Sequence, residues 1–460
     1  MDIFSFDNLP RKGRCVEGAV PYGESLFSLS GKSVTLIGYG LSNRALLKFF
    51  TKNGIFPSVR CPKAVELPSG VCGIFGDGYL NVSEEICFRS PSVHPDKIMG
   101  NAKIYTDCDL FLNMTRAHKI GVTGSDGKTT TTTLIYEIFK ADKKRAHLCG
   151  NVGVALGDVF DNISDGDFVA CELSSFQLHK AEIELDTAVI THISENHLDY
   201  HTDMNDYVSA KKNILKHTPH AVVNYDMQRA YEFFAKNTTY FSSSDLSLQA
   251  KNHTLGTRAH YVYIKDGFVY YDSARLFPLE IIRLKGAHNV YNVLAAVGAT
   301  YKICSLNAII SAVSSFSGVP HRNEEIYSLG GVKFINSSAD TSPARTVTTL
   351  ENYKNERVVS IMGGSEKGLD YSPLKEVAKN LTAVILLGAN REKISKEISA
   401  FTKVIAVNDI NEATKTAYEL ARPSGYVILT PASASFDMYI DYKDRAEKFK
   451  QAALRLNLTD

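Results

Sequence analysis

The residues best suited to chemistry lie in Lys119–Thr133, KIGVTGSDGKTTTTT: a short apolar run, a glycine-punctuated loop, and a lysine followed by threonines. Gly124 and Gly127 let the backbone turn sharply and aim its N–H groups at an anion. A helix opening near Lys128 adds its positive dipole end. Lys128 supplies a full charge and the Thr129 hydroxyl can hold magnesium, with Ser125, Asp126 and Thr130 in the same candidate phosphate-binding loop. The first glycine of the strict phosphate-loop pattern falls on Val122, so a tight turn before a helix is the competing reading.

Other reactive residue types follow strand ends. Glu172 ends the hydrophobic run Phe168–Leu173; there a carboxylate takes magnesium opposite Thr129, or is a solvated strand-end acid. The run Thr187–Ile193 leads into SENHLDYH, where His197 and Asp199 sit at the edge by which parallel sheets bind ligands. No zinc spacing is present, so magnesium-supported phosphate chemistry fits better than a zinc hydrolase. Lys211 and Lys212 are adjacent on a helix, and spacing does not choose between them. Asn289 and Asn292, at i and i+3, share a helix face and suit either a purine or a neighbouring loop. Arg322, beside His321, can reach a phosphate or form an interdomain ion pair. Lys367 in GGSEKGLDY and Ser435 in TPASASFDMY together can hold a small carboxylate through one charge and one hydroxyl.

These residues need an α/β frame. Lys32–Gly38 is a buried-strand run leading into GYGLSNRALLKFF, a strand–Gly-x-Gly–helix start without the third fingerprint glycine. A dinucleotide site, a mononucleotide site and a plain packing turn all fit it. Shorter strand candidates follow at Val59–Cys61, Gly73–Phe75 and Ile86–Arg89, the last running into a Ser-Pro turn. The strand–helix alternation restarts near 113 with the phosphate loop. The tyrosine-rich stretch 240–283 reads as short antiparallel strands. A third restart near 319 brings a hairpin through Gly330–Gly331 and buried runs at 358–364, 383–389, 404–407 and 426–432. The expectation is α/β with mostly parallel sheets in three domains: 1–112 with an irregular N-terminal extension, 113–318, and 319–460. The outer two are Rossmann-like and the central one is of P-loop ATPase type.

Composition agrees with a globular enzyme. The 460 residues are 44% hydrophobic and 22% charged, with a net charge of +1, which marks neither a nucleic-acid nor a membrane-surface binder. No apolar run reaches bilayer length, and the N-terminus lacks a signal-peptide core. Eight scattered cysteines without a C-x-x-C pair suit reduced thiols in the cytoplasm.

Taken together, the runs GVTGSDGKTTTT, GNVGVAL, CELSSFQL, ENHLDYH followed by YVSAK, LKGAHNVYNVLAA, GVPHRNEE, MGGSEKG and TPASASFDMY resemble the ATP-dependent Mur ligases of peptidoglycan synthesis over roughly residues 31–455. PHRNE and SASFDMY favour the D-glutamate-adding branch over those adding L-alanine, a diamino acid or a dipeptide. The resemblance implies that the carboxylate of UDP-N-acetylmuramoyl-L-alanine attacks the ATP γ-phosphate, and that D-glutamate then displaces phosphate from the acyl phosphate. It implies two magnesium ions held by Thr129, Glu172, His197 and a carbamylated Lys211, with Lys128, His197 and Lys211 catalytic. Nucleotide contacts fall on Gly124–Thr130, Asn289, Asn292 and Arg322. UDP-substrate contacts fall on Ser42, Asn43, Ser90, Pro91, Asn151 and His197, and D-glutamate contacts on Thr341, Lys367, Ser435, Phe436 and Tyr442. A monomer with small-molecule partners is expected. Departures occur in NSSADT (336–341), where Ser337 and Ala339 replace an aspartate and a lysine, and at Ser433, Tyr442 and His201. A folylpolyglutamate-type ligase and a catalytically silent nucleotide binder are the alternatives. The Ser-Ala-Ser-Phe-Asp run opposes the first, and the intact Lys128, Glu172, His197 and Lys211 oppose the second.

Overall fold

The computed structural model describes residues 32–458 except Gly153, Asp199, 249–257, Lys285, Lys367 and Gly368. The N-terminal extension and the candidates Asp199 and Lys367 therefore lie outside the described residues. Contacts divide the chain into two compact units that meet between Phe316 and Ser317.

The first unit holds two sheets. Strands β1 (Val34–Ile37), β2 (Ser58–Cys61), β3 (Gly73–Phe75), β4 (Ile86–Arg89) and β5 (Lys103–Tyr105) are all parallel, in the order β3-β2-β1-β4-β5. The second sheet comprises β6 (His118–Thr123), β7 (Ala146–Gly150), β8 (Phe168–Glu172), β9 (Thr187–Ile190), β10 (His220–Asn224), β11 (Asn237–Ser242), β12 (Arg258–Lys265), β13 (Phe268–Tyr271) and β14 (Ala274–Pro278). Its order is β14-β13-β12-β11-β10-β9-β6-β8-β7. Strands β8 and β9 are apolar-rich runs buried nearly throughout, as parallel strands covered on both faces must be.

The tyrosine-rich stretch corrects the sequence reading in part. Strands β11 and β12 pair in parallel, and only β13 and β14 form the antiparallel edge. The connection from 243 to 257 is long enough for the crossover that a parallel pair requires.

One apolar cluster serves both sheets of this unit. It runs from Leu36, Phe49 and Phe88 through Phe111 and Phe160 to Val169 and Ile190. Phe49, on α1 (Leu41–Lys52), meets Phe111, on α2 (Asp107–Met114), edge-on at 5.1 Å. Arg89, 1% exposed at the end of β4, donates to the carbonyls of Phe176 (2.8 Å) and His179 (2.7 Å) beyond β8. The first sheet is thus tied to the second by packing and by a buried guanidinium.

The second sheet carries α3 (Lys128–Ala141), α4 (Met204–Lys212), α5 (Ala287–Thr300) and α6 (Leu306–Ser315). Consecutive threonines are poor helix formers, yet α3 begins with five of them. Thr132 and Thr133 hydroxyls donate to the i−4 carbonyls of Lys128 and Thr129, which satisfies them inside the helix.

The second unit has β15 (Glu324–Leu329), β16 (Val332–Asn336), β17 (Val358–Met362), β18 (Ala383–Leu386), β19 (Val404–Ala406) and β20 (Gly425–Leu429), in the order β15-β16-β20-β17-β18-β19. Only the Gly330–Gly331 hairpin pairs antiparallel. Helices α7 (Pro343–Glu351), α8 (Arg391–Ile398), α9 (Ile410–Ala421) and α10 (Tyr442–Arg455) cover it. No helix among the described residues is long and apolar enough to cross a membrane. Cys61, Cys72, Cys87, Cys108, Cys149, Cys171 and Cys304 are free thiols.

Candidate active site

In the central sheet β6 lies between β8 and β9, so strand order reverses at its C-terminal end. Open α/β sheets bind ligands in the crevice such a reversal leaves. The loop Gly124–Gly127 sits there and leads into α3. Gly124 has φ 152°, and a Cβ on it would fall 2.0 Å from Thr191 Oγ1; a Cβ on Gly127, at φ 79°, would fall 2.2 Å from Asn292 Oδ1. Both positions exclude side chains, which leaves the loop backbone and the first-turn N–H groups of α3 to face an anion.

The loop is clamped from β9 and α4. Thr191 Oγ1 donates to the carbonyls of Thr123 (3.1 Å) and Asp126 (2.5 Å). Ser125 N–H donates to His192 O at 2.6 Å, and its hydroxyl lies 2.9 Å from both Ser194 O and the Tyr207 hydroxyl. Sequence reading missed Thr191, Ser194 and Tyr207 as loop supports. Only the strand run at 187–193 pointed that way.

The charged residues converge below the loop. Thr129 Oγ1 donates to Glu172 Oε2 at 2.6 Å, and Asn151 Nδ2 donates to Glu172 Oε1 at 2.8 Å. Glu172 is 2% exposed. Lys128 Nζ donates to the carbonyls of Gly124 (2.8 Å) and Ser125 (2.7 Å). Lys211 Nζ donates to the same Gly124 carbonyl at 2.8 Å and lies 4.6 Å from the centre of the Tyr207 ring. Lys212 faces solvent. The structure thus separates two lysines that spacing leaves equal, because one helix step turns a side chain by about 100°. Burial, and after it the Lys128 charge, holds the Lys211 ammonium well below the usual lysine range.

Thr129 hydroxyl and Glu172 carboxylate are hard oxygen donors at a phosphate loop, a set that fits magnesium. His197 is exposed on the loop after β9, at φ 57°, with its ring 4.9 Å from Phe176 and 6.5 Å from Tyr207. Asn292 donates to Asn289 Oδ1 at 3.0 Å and accepts from Thr131 at 3.3 Å. Both contacts are to helical residues, Asn289 on α5 itself and Thr131 on α3.

At the first sheet, Ser90 is buried and its N–H donates to Ile37 O at 2.7 Å, while Pro91 O accepts from Arg89 at 3.2 Å. Ser42 bonds the fully buried Asp107, whose carboxyl is pushed up to about 6 by burial and by Asp109. Asn43 points inward: its amide donates to Ile37 O (2.9 Å), Gly38 O (2.8 Å) and Phe88 O (3.2 Å).

In the second unit, three segments meet at the C-terminal edge of its sheet. Ser338 Oγ donates to Tyr442 O at 2.8 Å, at the start of α10. The buried Arg445 donates to Ser338 Oγ and Ser338 O (both 2.9 Å) and to Ser433 O (3.1 Å). Burial brings its guanidinium down to about 10. Asp340 accepts from Thr349 (2.7 Å) and Thr430 (3.1 Å), and burial raises its carboxyl. Thr341 adjoins Asp340. Ser435 is 2% exposed, whereas Phe436 is 66% exposed. Arg322 acts electrostatically on Asp340, and the Tyr442 ring lies 5.9 Å from His321.

Residues 122–300 match the Mur ligase middle domain, and residues 321–433 match the Mur ligase glutamate ligase domain. The UDP-N-acetylmuramoylalanine--D-glutamate ligase of Clostridium perfringens is 32% identical, over 92% of this chain and 96% of its own. That of Acetivibrio thermocellus is 33% identical, over the same shares. The chain belongs to the Mur ligase family. This Mur ligase shares its fold with the UDP-N-acetylmuramate-alanine ligase of Thermotoga maritima, at TM-score 0.56 and 18% identity, covering 93% of this chain and 100% of that one. The Thermotoga maritima MurF ligase, solved in complex with ADP, gives TM-score 0.53 at 15% identity, covering 97% and 99%. Family membership makes the protein an ATP-dependent ligase of mixed α/β architecture, and where three domains are expected from sequence, contacts divide the chain into two compact units.

Proposed function

We propose that this Mur ligase adds D-glutamate to UDP-N-acetylmuramoyl-L-alanine through an acyl phosphate, a step of peptidoglycan precursor synthesis. The observation that carries the reading is the Thr129–Glu172 pair under the loop, beside a buried lysine amine on Gly124 O. Relatives named for this reaction, matched along nearly their whole length, support the substrate choice.

In this reading Lys128 and the backbone of Gly124–Thr130 hold the ATP phosphates, with Asn289, Asn292 and Arg322 serving the nucleotide. Thr129 and Glu172 hold one magnesium, and Asn151 fixes the carboxylate rotamer. His197 and a carbamylated Lys211 hold the second. When bound, the two ions neutralise charge on the transferring phosphoryl group. Burial and the Lys128 charge favour the uncharged Lys211 amine, the form that attacks carbon dioxide. The carbamate forms with release of one proton, and its remaining N–H still serves Gly124 O. Ser42, Asn43, Ser90 and Pro91 shape the UDP end of the substrate. The substrate carboxylate attacks the γ-phosphorus and ADP leaves. The amine of D-glutamate, held by Thr341, Lys367, Ser435, Phe436 and Tyr442, then attacks the acyl carbon and phosphate leaves. In this reading the protein works in the cytoplasm, as a monomer.

The test is phosphate release from ATP that requires UDP-N-acetylmuramoyl-L-alanine and D-glutamate together. Turnover with another amino acid but not with D-glutamate would sink the specificity. Lys211→Ala should lose activity by on the order of 100-fold or more and regain part of it with added short-chain carboxylate. Unchanged turnover would remove the carbamate.

A further inference from the structure

A second cluster of metal-ligating side chains lies outside the phosphate site. His94 follows β4 of the first sheet, His179 follows the short helix Ser175–Leu178, and Asp206 lies on α4. One ligand atom from each falls within 4.8 Å of the other two. His179 Nε2 stands 3.3 Å from Asp206 Oδ1, which is the edge expected between two ligands on tetrahedral zinc with bonds of about 2.0–2.1 Å.

Both imidazoles are more than nine-tenths buried, at 8% and 6% exposed. Each carries one nitrogen, His94 Nε2 and His179 Nδ1, with no hydrogen-bond partner among the described residues. A buried polar nitrogen in that state is costly, and of the two it is His94 Nε2 that ligation would satisfy, since His179 faces Asp206 through Nε2. The surroundings are built to orient ligands. Asp206 Oδ2 is held by His201 Nδ1 at 3.0 Å, and His201 Nε2 is held by Ser175 Oγ at 3.0 Å. Asp96 N–H now donates to His94 Nδ1 at 3.2 Å, and the Asp96 carboxylate lies 4.0 Å from that nitrogen. A metal on Nε2 takes the other neutral tautomer, in which the ring proton has moved from Nε2 to Nδ1. Nδ1 then gives up the Asp96 N–H and turns its proton to the Asp96 carboxylate, the carboxylate–histidine–metal arrangement.

We propose that His94, His179 and Asp206 form a zinc site that joins the first sheet to the second. Two imidazoles and one carboxylate are a borderline donor set that selects zinc over magnesium. The proposal is independent of the substrate reading above. The facing charges are the carboxylates of Asp206 and Asp96 and the cations of Arg89 and Lys180. Arg89 spends its donors on the carbonyls of Phe176 and His179, and Lys180 pairs with Asp96. Tyr200 completes the wall, its ring 4.9 Å from His94. No spacing along the chain marks the site, because its ligands are 85 and 27 residues apart and assemble only by folding. Its placement has a consequence for function. His94 shares a loop with Ser90 and Pro91, and Asp206 shares α4 with Lys211, so bound zinc clamps the two elements together.

The full-length protein is loaded with Zn2+ and dialysed against excess Mg2+, and retained zinc is counted; Co2+ is then substituted and its visible spectrum recorded. The expected result is one retained zinc and the intense bands of four-coordinate cobalt. His94→Phe and His179→Phe keep a ring in the pocket and should lose both signals. Loss of an outer-shell partner alone weakens metal by roughly 10–100-fold, so loss of a ligand should exceed that. No retained zinc, six-coordinate cobalt bands, or equal retention in the variants overturns the proposal. If the variants do not fold, diethyl pyrocarbonate labelling of the wild type decides: zinc must protect both His94 and His179, and labelling unchanged by zinc overturns it.

Discussion

The first unit contains two strand-order reversals of the same design, and they are chemically unlike. At Gly38, β1 lies between β2 and β4; at Gly124, β6 lies between β8 and β9. Each turn runs from a buried parallel strand into a helix, and each packs so closely that an added Cβ would strike a neighbour: Ser90 Cβ at 2.8 Å for Gly38, Thr191 Oγ1 at 2.0 Å for Gly124. The turn at Gly38 is braced from within by the neutral amide of Asn43. The turn at Gly124 is braced from outside by Thr191 and Ser194, and its own Lys128 rests on the Gly124 and Ser125 carbonyls beside Thr129, Glu172 and Lys211. A common backbone device supplies the crevice. The side chains that brace it decide whether charge is left over for catalysis.

Three substitutions bear on that contrast. Lys128→Ala should cost the most, on the order of 100- to 1000-fold in turnover with a smaller effect on melting temperature, since Thr191 and Ser194 still hold the loop when the Lys128 contacts to Gly124 O and Ser125 O are lost. A loss of fold instead of activity would show that the second turn, like the first, is braced by its own residues. Asn43→Ala should do the reverse. It removes the side-chain donor to the carbonyls of Ile37, Gly38 and Phe88 and should destabilise by about 2–3 kcal/mol in denaturant titration. Turnover per folded molecule should fall less than for Lys128→Ala. If Asn43→Ala is as stable as the wild type, the brace is elsewhere.

The smallest effect is read against pH. Asp107, bonded to Ser42 beside the first turn, has a carboxyl at about 6 in the folded protein, above the ordinary value of 3.8. The folded state therefore holds this proton more tightly than the unfolded one. Stability from this group is complete below about pH 4 and is lost as pH rises through 6. Asp107→Asn should thus raise stability by about 1–2 kcal/mol at pH 8 and leave it unchanged at pH 4. A gain of equal size at both pH values would show that repacking, not ionisation, is responsible.

Much of this was legible in the chain. The buried-strand runs, glycine turns and helix lengths gave the α/β class, the phosphate loop and the strand-end position of Glu172, because period and turn chemistry are local. The hairpin at Gly330–Gly331 was legible for the same reason. The parallel pairing of β11 with β12 was not, because register across a long connection is a tertiary matter. Nor were the three carbonyls on Asn43, the buried Arg89, or the clamp by Thr191.

Sequence by itself determined which residue types stand at which strand ends, and so the chemical class of the loop at 119–133. Only the tertiary structure decided which of them are buried together. It set Lys211 rather than Lys212 against Gly124, and it gathered His94, His179 and Asp206 from separate elements. The physical reason is that ionisation and ligation depend on burial and on distances of a few ångströms, which chain folding sets and spacing along the chain does not.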